Sequence, residues 1–172
     1  VNTYGMDESW VWWPSNGEEA NGSPTNVLNN NSELASGTKF VIDSSIKYID
    51  VSAFEGCTRL ERIYIPESVK GISDEAFANC GAKSINIPES VEYIGILAFV
   101  FEPELEGGAP HEISANVKKI GEGAFANRNI TEFIVDESNP NYSSDEYGVL
   151  YSKDMKKLIA FPDKAPLKGF TI

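Results

Sequence analysis

Through the middle of the chain, apolar residues fall in short alternations followed by single, widely spaced hydrophobic positions. Ile63-Tyr-Ile65-Pro66-Glu-Ser-Val69-x-x-Ile72 leads to Ala76-Phe77 and Cys80. Ile85-Asn-Ile87-Pro88-Glu-Ser-Val91-x-x-Ile94-Gly95 leads to Ala98-Phe99, and Ile113-Ser-Ala-Asn-Val117-x-x-Ile120-Gly121 leads to Ala124-Phe125. A less regular copy runs from Val41-Ile42 through Ile46-x-x-Ile49 to Ala53-Phe54 and Cys57. The four phenylalanines Phe54, Phe77, Phe99 and Phe125 stand 23, 22 and 26 residues apart. Leu60, Ala82 and Ile130 each precede an inner strand position (Ile63, Ile85, Phe133) by three residues. A period in the low twenties signals stacked supersecondary units, each too small to bury its apolar face alone. The pattern predicts short strands on one side of a coil, with turns and brief helical or 3₁₀ segments near each Ala-Phe. Gly and Pro recur too often for long helices.

The ends are less regular. Residues 1–20 carry Tyr4, Trp10, Trp12 and Trp13 beside acidic residues, and residues 21–38 are rich in Asn, Ser and Gly, as expected of a loop or linker. In the tail, Gly148–Tyr151 is expected to pair with Lys157–Phe161 across the polar turn Ser152–Lys156. Phe170-Thr-Ile172 has the character of the next strand, and the chain opens on Val1, so a longer surrounding protein is expected.

The strings IPESVKGISDEAFANC, IPESVEYIGILAF and VKKIGEGAFAN resemble the BspA-like leucine-rich repeats of bacterial surface and secreted proteins. The segment from Asn139 to Pro162 is similar to the hairpin-bearing variant repeat that interrupts such arrays. Two departures stand out: Phe101–Pro110 replaces the usual Cys-x-x-Leu segment, and Tyr147 precedes Gly148 where a smaller residue is more usual. The resemblance implies a mainly β or α/β right-handed solenoid with repeats of about 22–26 residues. It also implies a division into a cap or upstream remnant plus linker (1–39) and a repeat domain (40–172), the latter ending in a long variant repeat (133–172). A non-catalytic binding or adhesion module, secreted or on the cell surface, is the function it implies, with a protein as ligand.

Charge narrows the partners. Of 172 residues, 14 are Lys or Arg and 26 are Asp or Glu, a formal net charge of −12. Such a surface repels nucleic acid and anionic membranes and lacks the basic stripe that phosphate contacts need. No apolar run approaches the length of a membrane span.

Strand alternation identifies the residues that would face a partner, since those flanking an inward position point outward. They are Arg62 and Tyr64, Ser84 and Asn86, and Glu132 and Ile134 around Phe133, with Lys39, Val41, Pro110 and Glu112 added by the less regular copies. Tyr64 is the natural anchor, because rigid rings are enriched at interface centres. A bare solvated sheet face is the competing account, which would make the module a passive spacer. Trp10 and Trp12 share one face of a strand and could stack on sugar rings, giving a carbohydrate-recognition module; capping of the first coil is the alternative.

Catalytic chemistry finds little footing. Cys57 and Cys80 share one phase in adjacent repeats, where parallel side chains favour two packed thiols over a bridge. His111, the only histidine, aligns with the inward Ile63 and Ile85, so a structural role is expected. Two Cys and one His cannot complete a usual zinc site. The acidic pairs Asp74-Glu75, Asp136-Glu137 and Asp145-Glu146 are expected in solvated loops, and no phosphate-binding glycine loop occurs. No cofactor is called for.

Overall fold

Each of the first three regular coils contributes one short strand to a first parallel sheet, turns, contributes a shorter strand to a second parallel sheet, and turns back through its Ala-Phe pair; the fourth adds its short strand to the second sheet alone. The computed structural model describes residues 10–12, 38–82, 84–100, 108–126 and 129–165, and the statements below concern these. The expectations for Tyr4, Trp13, residues 101–107 and Phe170–Ile172 lie outside them. In chain order the strands are β1 (Trp10–Trp12), β2 (Thr38–Val41), β3 (Tyr48–Ile49), β4 (Leu60–Tyr64), β5 (Gly71–Ile72), β6 (Ser84–Asn86) and β7 (Tyr93–Ile94). There follow β8 (Ala109–Ile113), β9 (Lys119–Ile120), β10 (Ile130–Val135), β11 (Tyr142–Ser144), β12 (Leu150–Ser152) and β13 (Leu158–Ala160).

The first sheet has the order β1-β2-β4-β6, all parallel, with Val11, Phe40, Ile63 and Ile85 in one row. The second, β3-β5-β7-β9, stacks Ile49, Ile72, Ile94 and Ile120. The fold is thus the expected solenoid, of about four turns. Its second face differs from expectation in one respect. Sequence suggested irregular or 3₁₀ segments there, whereas the described residues form two-residue strands joined by hydrogen-bonded turns such as Cys57 N to Phe54 O (3.2 Å) and Cys80 N to Phe77 O (3.2 Å). Two residues are too few for an alternation to be read, so only the Val-x-x-Ile spacing betrayed them.

Between the sheets the phenylalanines form a continuous stack. Phe54, Phe77, Phe99 and Phe125 follow one another at centroid distances of 5.1, 5.4 and 5.8 Å, with planes within 8° of parallel. Phe40 closes one end edge-on at 5.4 Å and Phe133 the other at 5.7 Å. The backbone runs the same ladder: the amides of Phe54, Phe77 and Phe99 donate to the carbonyls of Ala76, Ala98 and Ala124 in the next coil. Two positions before each ring the chain enters the left-handed region, at Ser52 (φ 54°), Glu75 (55°), Leu97 (51°) and Gly123 (63°). That reversal turns the ring inward, and only Gly123 adopts it without steric cost. Close approach fixes a second glycine: a Cβ on Gly121 would lie 2.4 Å from the backbone of Gly95 and Ile96 in the coil before.

Cys57 and Cys80 are fully buried, unbridged thiols, as their phase suggested. The expected tail hairpin forms between β12 and β13, and β11 joins it antiparallel as a third strand that sequence did not indicate. This variant repeat caps the last regular coil with side chains in place of backbone. The fully buried Asn139 donates from Nδ2 to Ser114 O (2.7 Å) and Val117 O (3.2 Å), while its Oδ1 accepts from the amides of Asn141 and Tyr142. The Ile120 amide at the sheet edge donates to the Tyr142 hydroxyl at 2.8 Å. Burial pushes the Tyr142 phenol pKa up, and the Ile120 contact partly offsets that.

A gap in the ring stack cannot be filled by neighbours pinned at both backbone ends. Phe77→Ala is therefore expected to cost about 3–5 kcal/mol, at the full cost of a buried aromatic truncation. Urea unfolding followed by circular dichroism measures it; a loss below about 1 kcal/mol would show that the rings are not the core.

Candidate binding surface

Strand pairing places the expected contact residues one by one. Arg62 lies beside Ser84, and Tyr64 beside Asn86, on adjoining strands of the first sheet. Arg62 and Asn86 are exposed, but Tyr64 is half-buried and is a weaker anchor than its sequence position suggested. Val41, placed on the same strip by alternation, is fully buried. Trp10 and Trp12 take the strand register of Lys39 and Val41, which continues to Arg62 and Tyr64.

The strip is not one surface. β8 pairs with β10 alone, with Glu112 beside Ile134, and neither strand joins the four-stranded sheet. Glu112, Glu132 and Ile134 are all exposed. The longest repeat interval, the one holding 101–110, separates β6 from β8, so the extra residues fall where the sheet divides. A cleft of about 230 Å³ follows this division. Glu89, Glu112 and Asp136 stand around it with Ile87, Ile113 and Ile134. Its two sides are tied by Asn116 Nδ2 and Ser114 Oγ, which donate to Glu89 O at 2.9 and 3.2 Å. Apolar floor and acidic rim together suit a segment carrying both a hydrophobic and a basic side chain. The cleft was not legible in the sequence; the stretched interval was its only trace.

The catalytic candidates are not assembled. His111 is half-buried and packs on Phe125 (4.6 Å) and Phe133 (6.2 Å), inside the ring stack as its alignment suggested. Among the described residues no group of three or more His, Cys, Asp or Glu is placed to hold a metal ion. No helix among them is long and apolar enough to cross a membrane. Sequence reasoning also passed over Tyr48 and Tyr93, exposed on the second sheet at 68% and 47%. Their signal was the Tyr-Ile at the same phase in the first and third coils.

Comparison with known proteins gives consistent results. The family model described as BspA type leucine rich repeat region matches residues 29–147 in six copies. The crystal structure of the pneumococcal vaccine antigen PcpA is similar, with a TM-score of 0.56 and 26% identity over 73% of this chain and 37% of that one. A leucine-rich repeat protein from Eubacterium ventriosum shares the fold, with a TM-score of 0.58 and 22% identity over 74% of this chain and 39% of that one. The chain thus spans well under half the length of these relatives. No curated protein matches it.

Asp136 on the cleft rim accepts hydrogen bonds from the Ser138 hydroxyl (2.6 Å) and amide (2.8 Å), which hold its pKa below the usual carboxylate range. A lowered folded value means that these contacts stabilise the fold above the unfolded carboxylate pKa and lose that effect as pH falls through the folded one. Ser138→Ala should raise the Asp136 midpoint toward the ordinary value in an NMR titration. An unmoved midpoint would assign the shift to the Ser138 amide, which the substitution leaves in place.

Proposed function

Because this chain belongs to the BspA-type leucine-rich repeat family, we propose that it is a non-catalytic module that binds a protein ligand through the strand face of the solenoid. The cleft between β6 and β8 carries the reading, since it adds concave, partly apolar relief to a sheet that would otherwise be flat. Glu112 and Ile134 line it, and Glu132 lies on the same strand as Ile134, while Arg62, Ser84 and Asn86, with the half-buried Tyr64, belong to the paired strands β4 and β6 of the adjoining sheet. Repeat solenoids use such extended surfaces for recognition and seldom enclose a reaction. A secreted or cell-surface bacterial protein fits best, as a vaccine antigen such as the pneumococcal relative must be reachable by antibody. We take 40–172 as the repeat domain, with 133–172 as its variant repeat. The pairing of β1 with β2 supports a capping role for 1–39.

A sugar ligand is the second reading. Its support is the strand register that Trp10 and Trp12 share with Arg62 and Tyr64.

Arrays of purified extracellular proteins and of glycans, probed with the 1–172 chain, test both readings. Binding to a protein is expected to fall at least about tenfold on Ile134→Asp or Glu112→Lys, which introduce an unpaired or reversed charge at the cleft. Protein binding indifferent to these changes and to Arg62→Glu would refute the strand face. Glycan binding lost on Trp10→Ala and Trp12→Ala would favour the sugar reading, and no binding at all would favour a spacer.

A further inference from the structure

The outer surface of the second sheet carries a pattern that ligand recognition by the first does not use. Its strands are in register, so side chains stack in columns along the solenoid. Tyr48, Gly71, Tyr93 and Lys119 form one column. Lys47, Lys70, Glu92 and Lys118 form the column before it, each amide from Lys70 onward donating to the carbonyl of the coil before. Past the turn lies a third, of Val51, Asp74, Ile96 and Glu122, whose carbonyls at Asp74, Ile96 and Glu122 accept from the amides of Ser52, Glu75 and Leu97.

The chemistry alternates from coil to coil. The first and third coils present Tyr48 with Val51 and Tyr93 with Ile96, all well exposed. The second and fourth present Lys70 with Asp74 and Lys119 with Glu122, also exposed. Lys118 is engaged by Glu92 at 2.5 Å. The lysine and the acid of one coil lie on opposite margins of the sheet, roughly 10 Å apart at strand rise for Lys119 and Glu122 and roughly 13 Å for Lys70 and Asp74, too far to pair with each other. Between the margins runs a shallow groove of about 590 Å³, over whose Gly71 floor the Tyr48 ring leans: a Cβ there would lie 3.0 Å from Tyr48 Cδ1.

We propose that this face is a contact between two copies of the chain, packed face to face about a two-fold axis parallel to the solenoid axis. That rotation exchanges the two margins and leaves every coil opposite its own counterpart. Lys70 then meets the second copy's Asp74 and Lys119 its Glu122, while Tyr48 meets Val51 and Tyr93 meets Ile96. Among these residues charge faces opposite charge and apolar faces apolar, with Lys47, Glu92 and Lys118 in the outer column beside them, the self-complementarity an isologous contact requires. Four strands about 4.8 Å apart and some five residues deep give roughly 300 Å² per copy, a weak, reversible contact. It leaves the strand face of both copies open.

Sedimentation of the 1–172 chain from about 10 μM to 1 mM tests this, with a monomer–dimer equilibrium expected near a dissociation constant on the order of 10⁻⁴ M. Lys119→Glu alone and Glu122→Lys alone should each weaken it at least about tenfold, by placing like charges opposite one another twice per dimer. An equimolar mixture of the two variants should associate as the parent does, because every opposed pair is again Lys with Glu. A folding defect cannot produce that recovery. Dimers indifferent to both substitutions would place the contact elsewhere and overturn the proposal. A protein monomeric throughout overturns it as well, and glycan binding lost on Tyr93→Ser would then identify a sugar as the occupant.

Discussion

Backbone amides of this protein find acceptors in an adjacent coil wherever coils stack, and in a tight turn of their own coil elsewhere, as at Cys57, Leu60, Val69 and Val91. Both parallel sheets and the ladder through Phe54, Phe77 and Phe99 obey this rule, so successive coils are held about one strand spacing apart on three sides. The repeat distance is set by backbone chemistry, and the side chains must conform to it. Flat rings stacked in parallel suit that distance, and Phe fills the ladder in four consecutive coils. Where the rule can no longer be met, polar side chains take over, as Asn139 and Tyr142 do at the variant repeat.

That dependence explains which parts of the molecule were legible in the sequence. Residues that must recur for coils to stack recur visibly: Ile63 and Ile85, Val69 and Val91, the Ala-Phe pairs, and the two thiols. Their burial followed from phase alone. Features arising where repetition fails left little trace. The stretched interval before β8 showed that something changes, but not that the strand face divides there. Tyr64 is half-buried where an exposed ring was expected, since alternation gives the direction of a side chain and says nothing of how deeply its neighbours cover it. Val41 failed for the same reason. The second sheet was missed because its strands are two residues long, shorter than one full alternation.

The two broad faces divide the available roles. The first sheet is interrupted and bears a cleft with acidic and aliphatic lining; the second is continuous and bears an ordered alternation of rings and charges. Relief on one face and regularity on the other suit different partners, one irregular in shape and one as periodic as the solenoid itself. Nothing in the coil forces both to be used together, since the core lies between them and is common to both.

The division of the first sheet also has a mechanical meaning. Across the junction between β6 and β8 the second sheet runs on without interruption from β7 to β9, whereas the cleft side is bridged by side chains, Ser114 and Asn116 donating to Glu89 O. Tension along the axis would be carried unevenly there, by a backbone ladder on one side and side-chain contacts on the other. Pulling would then load the mouth of the cleft against the Ser114 and Asn116 contacts to Glu89 O. A protein held at one end and gripped at the other would couple the width of its cleft to the load it bears.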